Sequence, residues 1–249
     1  MTTSLLKVRG LSKAFGGVRA VSKVDFDVHA GELLALIGPN GAGKSTCFNM
    51  LNGQLKCDSG SIQLEGQSIV GLKPRDVWRR GVGRTFQITA TFSSMTVREN
   101  VQMALLSYYG KLGALWVRAR EQYVGEANLL LERVGMLNQA ERPCSVLAYG
   151  DLKRLELAVA LSNKPRLLLM DEPTAGMAPK ERIELMALAA DIVHSDKIGV
   201  LFTEHDMDVV FAHANRMIVL NRGELIASGE PQAVRADPQV QRIYLGSRH

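Results

Sequence analysis

Gly38, Pro39, Asn40, Gly41, Ala42, Gly43, Lys44, Ser45 and Thr46 follow one another in the order G-x-x-x-x-G-K-[ST], the Walker A pattern of a loop that holds phosphate. The glycines leave room for successive backbone N–H groups to curl around phosphate oxygens. A helix starting at the end of the loop adds partial positive charge at the same point. Lys44 would reach the β- and γ-phosphates of a nucleoside triphosphate, and the Ser45 hydroxyl would ligate Mg2+. A glycine-rich turn with no ligand is the plain alternative, and the flanking sequence argues against it. The continuous apolar run Leu33–Ile37 before the loop reads as a buried strand, and residues 46–52 after it read as a helix closed by Gly53.

A second chemical feature stands downstream. Leu167, Leu168, Leu169 and Met170 read as another buried strand, and it runs out into two carboxylates, Asp171 and Glu172. A carboxylate where a buried strand emerges beside the phosphates can hold Mg2+ directly or through water. The next carboxylate can polarise a water for attack on the γ-phosphate. Alone, such a pair is as readily a solvated surface feature. After a Walker A loop it reads as the acidic half of a hydrolytic site.

The elements that must position these residues alternate between strand and helix, so the predicted fold class is α/β: a P-loop NTPase (RecA-like) core with an antiparallel β subdomain and an inserted helical subdomain. Residues 5–9, 24–28 and 61–64 read as short strands of the antiparallel layer. Helical spacing of apolar residues appears from 97 to 105, from 121 to 134 and from 152 to 161, with a break around 108–113. Core strands resume at 167–170 and 199–202 with a helix over 182–193 between them, and 217–227 reads as a hairpin around a glycine turn. The expected division is 1–92 and 164–249 for the core with its β subdomain, and 93–163 for the helical insertion.

The bulk numbers narrow the class of function. Of the 249 residues 46% are hydrophobic, enough for a sizeable core, and the net charge is a modest +5. Aromatics are only 6%, so a nucleic-acid groove of interleaved basic and aromatic residues is not expected. Cys47, Cys57 and Cys144 lack metal-ligand spacing, and an odd count argues against a disulfide framework; they read as reduced, partly buried residues. No apolar run approaches the roughly 18 residues that span a bilayer, and residues 1–7 lack a signal-peptide pattern, so the chain is expected in the cytoplasm.

With these motifs in family order, the chain resembles the ATP-binding subunit of an ABC transporter over nearly its whole length. The resemblance implies ATP and Mg2+ as ligands. Gln87, in the run Gly83, Arg84, Thr85, Phe86, Gln87, matches the Q-loop glutamine, which implies contact with Mg2+ and the attacking water and a link to the membrane partner. Leu147, Ala148, Tyr149, Gly150 and Asp151 match the signature motif at the head of a helix, and residues 175–178 match the D-loop. His205 matches the switch histidine at the γ-phosphate, and Phe15 stands where the family stacks an aromatic ring on adenine. The implied catalytic set is Lys44, Gln87, Glu172 and His205; the implied metal set is Ser45, Gln87 and Asp171.

The resemblance also implies a pair of ATPase subunits, identical or different, facing each other head to tail. Each ATP then lies between one Walker A loop and the partner's signature, where Ala148 and Gly150 would touch it. ATP joins the pair, hydrolysis loosens it, and two membrane permeases follow the motion. Three positions depart from the family pattern. Ala148 replaces a serine, Asp151 replaces a glutamine, and Ala178 replaces the D-loop aspartate. A lost hydroxyl donor to a charged group costs about 1.5–3 kcal/mol where nothing replaces it.

Residues 15–20, 81–87, 95–101, 147–150 and 244–246 resemble one subfamily, the ATP-binding subunits of high-affinity branched-chain amino acid importers. That implies two permeases, a periplasmic solute-binding protein and a peripheral place on the cytoplasmic face of the inner membrane. Residues 98–113, beginning at Arg98, would border the groove for a permease coupling helix. Related ATPases for urea or short amides, or for lipopolysaccharide extraction, share the same nucleotide site. A soluble ABC ATPase acting on nucleic acid and a P-loop kinase are the readings from other classes; the signature motif argues against the kinase.

Overall fold

The structure is a computed structural model that describes residues 4–85, 91–111 and 121–245, with side chains to residue 243. The chain opens with β1 (Ser4–Phe15), β2 (Val18–His29) and β3 (Leu33–Ile37), followed by α1 (Lys44–Leu51). It continues with β4 (Ser59–Leu64), β5 (Gln67–Ser68), α2 (Pro74–Arg79) and β6 (Val82–Thr85). Three helices follow, α3 (Val97–Tyr108), α4 (Val124–Arg133) and α5 (Tyr149–Leu161). The remainder alternates β7 (Leu167–Asp171), α6 (Pro179–Asp196), β8 (Gly199–Thr203) and α7 (Met207–His213). It ends with β9 (Arg216–Asn221), β10 (Glu224–Gly229), α8 (Pro231–Ala236) and α9 (Pro238–Leu245).

Two sheets result. The antiparallel sheet runs β2-β1-β4-β5, and the larger one runs β10-β9-β3-β8-β7-β6. In the larger sheet β9, β3, β8, β7 and β6 are parallel and only β10 is antiparallel. The parallel strands are buried on both faces, which is why they read as unbroken apolar runs rather than alternating ones. Their residues still divide by parity. Leu33, Ala35, Ile37, Leu168, Met170, Val200 and Phe202 face one apolar cluster with α3 to α6. Leu34, Leu36, Leu167, Leu169 and Leu201 face the other, with α1 and the antiparallel sheet. Phe48 and Leu51 of α1 are fully buried there, and each such side chain contributes about 1.5–3 kcal/mol. The core sheet is thus clamped from both sides, and its strand ends are rigid mounts.

The strands and helices expected from the sequence are present, most with longer bounds; β3 keeps its expected bounds, α1 is shifted toward the glycine loop, and α4 is shorter than the expected 121–134. Both β1 and β2 extend to 12 residues, joined at Gly16 and Gly17. Helix α1 starts at Lys44, within the glycine loop, and α5 starts at Tyr149, within the signature run. Pro179 opens α6 in its first turn, where a missing N–H leaves no helical bond unmade. Helix α3 is capped reciprocally: Glu99 N donates to Thr96 Oγ1 at 3.2 Å, and Thr96 N donates to Glu99 Oε2 at 2.8 Å. No helix among the described residues is long and apolar enough to cross a membrane.

Two sequence-based expectations change in detail. Arg98 is engaged within the helical region: its Nε donates to Asn128 Oδ1 at 2.8 Å and its Nη1 donates to Glu141. Reversing its charge would set a carboxylate against Glu141, so that substitution would disturb the helices before it reported on any permease groove. The three cysteines are free and buried, and burial pushes the Cys47 thiol up to about 12, which makes it inert.

Candidate active site

Parallel strands carry their ligands at their carboxyl ends. Here the ends of β3, β7 and β8, neighbours in the order β3-β8-β7, bring the glycine loop, Asp171 with Glu172, and Thr203 with His205 to one edge of the sheet. Three separate stretches of sequence therefore meet because three buried strands lie side by side.

The glycine loop is shaped by contacts that only glycine permits. A Cβ on Gly38 would lie 2.2 Å from the carbonyl oxygen of Leu220, and one on Gly43 would lie 2.2 Å from that of Ala20, with Gly43 at φ 106°. Gly43→Ala is expected to destabilise the protein by about 3 kcal/mol through this overlap and the left-handed backbone. A urea midpoint equal to that of the unaltered chain would contradict it. Ala42 is buried, whereas Asn40, Gly41 and Ser45 are exposed at the rim and Pro39 and Thr46 are partly so. Lys44 is 8% exposed, and its Nζ donates to Gly38 O at 2.6 Å and to Pro39 O at 3.2 Å. Burial lowers its pKa, while the carboxylates of Glu172 and Asp171 pull it back up. Lysine and both carboxylates thus feel one another across the cleft.

Asp171 ends β7 opposite Thr203 of β8, whose hydroxyl donates to Asp171 Oδ1 at 2.8 Å. Glu172 follows in a left-handed backbone conformation, φ 49°, unusual for a non-glycine residue and held by its N–H donating to Thr203 O and Oγ1. That twist turns its side chain toward the next strand end. His205 Nε2 stands 2.7 Å from Glu172 Oε1. A carboxylate can only accept, so Nε2 carries the proton in this arrangement. Asp206, just beyond, caps α7 and accepts from Arg182 Nη1 at 2.7 Å, a hydrogen bond that holds its carboxyl below the usual range.

The remaining sequence-predicted residues have distinct settings. Phe15 is 49% exposed at the end of β1, with Lys13 Nζ 5.6 Å above its ring. Ala148 caps α5 and is exposed, while Gly150 is buried against the Glu181 carboxylate. The head of α5 thus packs on the start of α6 in its own chain. Gln87 lies outside the described residues.

Sequence reasoning passed over four supporting residues. Thr203 orients both acidic residues. Glu204, 5% exposed, accepts from Thr174 N at 2.9 Å and from Thr174 Oγ1 at 2.7 Å, pinning the segment after Glu172 to the segment holding His205. The Tyr149 ring lies against Gly176, where a Cβ would meet it at 3.3 Å. Arg84 Nη2 donates to Asp171 Oδ2 at 3.4 Å. A Thr-Glu pair directly after a buried strand was a usable signal; the reach of Arg84 from β6 to the end of β7 was not visible without the sheet order. The donor set at the cleft, a serine hydroxyl and a carboxylate on fixed elements, consists of hard oxygens and fits Mg2+.

Comparison with known proteins gives a consistent picture. Residues 21–175 match the family model "ABC transporter", and residues 224–249 match that of "Branched-chain amino acid ATP-binding cassette transporter". The chain is 41% identical over 254 residues to the high-affinity branched-chain amino acid transport ATP-binding protein LivG of Escherichia coli (strain K12), covering 99% of both. It is 38% identical over 253 residues to BraF of Pseudomonas aeruginosa, a protein of the same description, again covering 99% of both. Among solved structures it is similar to an ATP-binding cassette of an ABC transporter in its ADP conformation, with TM-score 0.88 and 32% identity, covering 98% of this chain and 100% of that one. A nucleotide-free cassette gives TM-score 0.86 and 30% identity, covering 97% and 99%.

Proposed function

The chain belongs to the ABC transporter family and is one of its ATP-hydrolysing subunits, and from that premise we propose that it powers the import of branched-chain amino acids. The observation that carries the solute class is the similarity to two branched-chain amino acid transport ATPases along almost the entire chain, joined by the separate match of residues 224–249. The membrane-spanning parts of such a transporter are other chains. In this reading they are two permeases served by a periplasmic binding protein, with this subunit peripheral on the cytoplasmic face and paired with a second ATPase, identical or different.

In this reading the residues take the following roles, and the geometry of the described ones supports them. Phe15 stacks on the adenine, and residues 38–46 wrap the phosphates with backbone amides while Lys44 turns from Gly38 O and Pro39 O to the β- and γ-oxygens. Ser45, Asp171 and Gln87 would hold Mg2+, which when bound would neutralise charge on the transferring phosphoryl group. Glu172 accepts the proton of the attacking water, and His205 Nε2–H fixes the carboxylate and faces the γ-phosphate. Ala148 and Gly150 at the head of α5 meet the partner's nucleotide. The core with its β subdomain takes residues 1–92 and 164–249, and the helical subdomain takes 93–163.

The test is uptake by cells lacking this chain. Accumulation of labelled leucine, isoleucine and valine from micromolar medium is expected to fall at least about tenfold and to return with the native chain but not with Glu172→Gln. Uptake unchanged for all three, or loss of urea or amide uptake instead, would sink the solute assignment.

A further inference from the structure

Arg84 has no part in the roles above, yet it forms a salt bridge with Asp171. It lies on β6, in register with Leu169 of β7. Its Nη2 donates to Asp171 Oδ2 at 3.4 Å, and its Nη1 donates to Gln54 Oε1 at 2.8 Å and to Asn49 Oδ1 at 3.2 Å. The Arg84 and Asp171 side chains are 15% and 13% exposed, so the pair is mostly withdrawn from water. Burial lowers the Arg84 pKa and the Asp171 charge raises it again. The guanidinium remains charged at any working pH. Asn49 belongs to α1, the helix that rises from the phosphate loop, so one guanidinium joins the loop helix, the acidic strand end and β6, the strand that leads toward Gln87.

Asp171 and Glu172 are adjacent carboxylates in a cleft. Without a compensating charge, such a pair would either remain costly or draw a divalent cation before any nucleotide arrived. We infer that Arg84 is a positioning residue that stands in for the metal's charge: it neutralises Asp171 in the nucleotide-free site and makes a divalent cation compete for that carboxylate. The inference rests on the reading of Asp171 as a metal ligand. Its consequence is that metal enters with ATP, whose phosphates add the further oxygen ligands needed to displace the guanidinium. Thr203 donates to Oδ1, which leaves Oδ2 as the oxygen for which the guanidinium and the cation compete.

The experiment is Mn2+ binding to the full chain, read from the paramagnetic resonance signal of free Mn2+, with and without a non-hydrolysable ATP analogue. Without nucleotide, Arg84→Gln is expected to bind Mn2+ about tenfold more tightly than the native chain, Arg84→Lys to stay within about twofold of it, and Arg84→Gln combined with Asp171→Asn to lose the gain. Gln54→Met, which removes the shortest anchor of the fork but leaves its charge, serves if Arg84→Gln does not fold; a rise of about two- to threefold is expected there. Equal Mn2+ affinity in these variants and the native chain would overturn the role of Arg84. With nucleotide, Asp171→Asn should weaken Mn2+ binding in every background. Mn2+–nucleotide binding indifferent to Asp171→Asn would remove the metal-ligand reading itself, a failure distinguishable from the first.

Discussion

Glu172→Gln is expected to lower the rate of phosphate release about a thousandfold, within the ~10²–10⁴ range for loss of a positioned general base, while ATP stays bound. The substitution is nearly isosteric. The glutamine Oε1 can still accept from His205 Nε2–H, so the 2.7 Å contact and the placement of both side chains survive. What is lost is the capacity to take a proton. What is also lost is one negative charge beside Asp171 and opposite a polyanionic ligand, so ATP should bind at least as tightly as before. With hydrolysis stopped and binding kept, the nucleotide-joined pair of subunits should persist: gel filtration with ATP should give a dimer that the native chain forms only transiently. Turnover within about threefold of native would mean that the base lies elsewhere. A monomer in saturating ATP would instead count against the head-to-tail pair, leaving the base assignment intact.

The surroundings of Glu172 favour placing the proposed base there and not at Asp171. Asp171 is committed on both oxygens, to the Thr203 hydroxyl and to Arg84. Glu172, one residue on, has left the strand through a left-handed turn and meets a histidine, an exchangeable proton donor in the open part of the cleft. Glu204 and Thr174 tie down the two segments that carry this pair. The division of labour between neighbouring carboxylates is thus set by the backbone turn between them.

Much of this is legible in the sequence because it rests on local rules. Buried parallel strands announce themselves as apolar runs, and the glycine loop needs its residue types wherever it occurs, so Gly38, Gly43, Lys44, Asp171 and Glu172 can be named from spacing. The end-on approach of β3, β8 and β7 can be expected only as a fold class, since strand order depends on long-range pairing. Residues whose work crosses that order stay hidden for the same reason. The contact of Arg84 with Asp171 depends on β6 lying beside β7, and the burial of Glu204 depends on its pairing with Thr174. Tyr149 is visible as part of the signature run, but its packing on Gly176 needs the position of the segment that leads into α6. Arg98 is expected at a groove by chain position alone, and its bonds to Asn128 and Glu141 are likewise not visible in the sequence.

Lys44→Ala is expected to weaken ATP binding about a hundredfold, ~3 kcal/mol, because it removes a largely desolvated cation from beside the proposed place of the β- and γ-phosphates. In the structure the ammonium donates to Gly38 O and Pro39 O, both within its own loop. These bonds are worth little net, since exchanging water for two carbonyls contributes only modestly and the burial that lowers the Lys44 pKa opposes it. Folding stability should therefore change by no more than about 1 kcal/mol, and the whole loss should appear in binding. Titration with a fluorescent ATP analogue, beside a thermal melt of the same variant, separates the two. A variant that binds ATP normally would show that the backbone amides alone carry the phosphates, and a variant that fails to fold would show that the lysine braces the loop. Lys44→Arg sharpens the distinction. It keeps the charge but replaces a compact ammonium by a planar fork too wide for the space between two carbonyls of one tight loop. Binding lost in both variants would mean that the site requires the shape of the lysine as well as its charge.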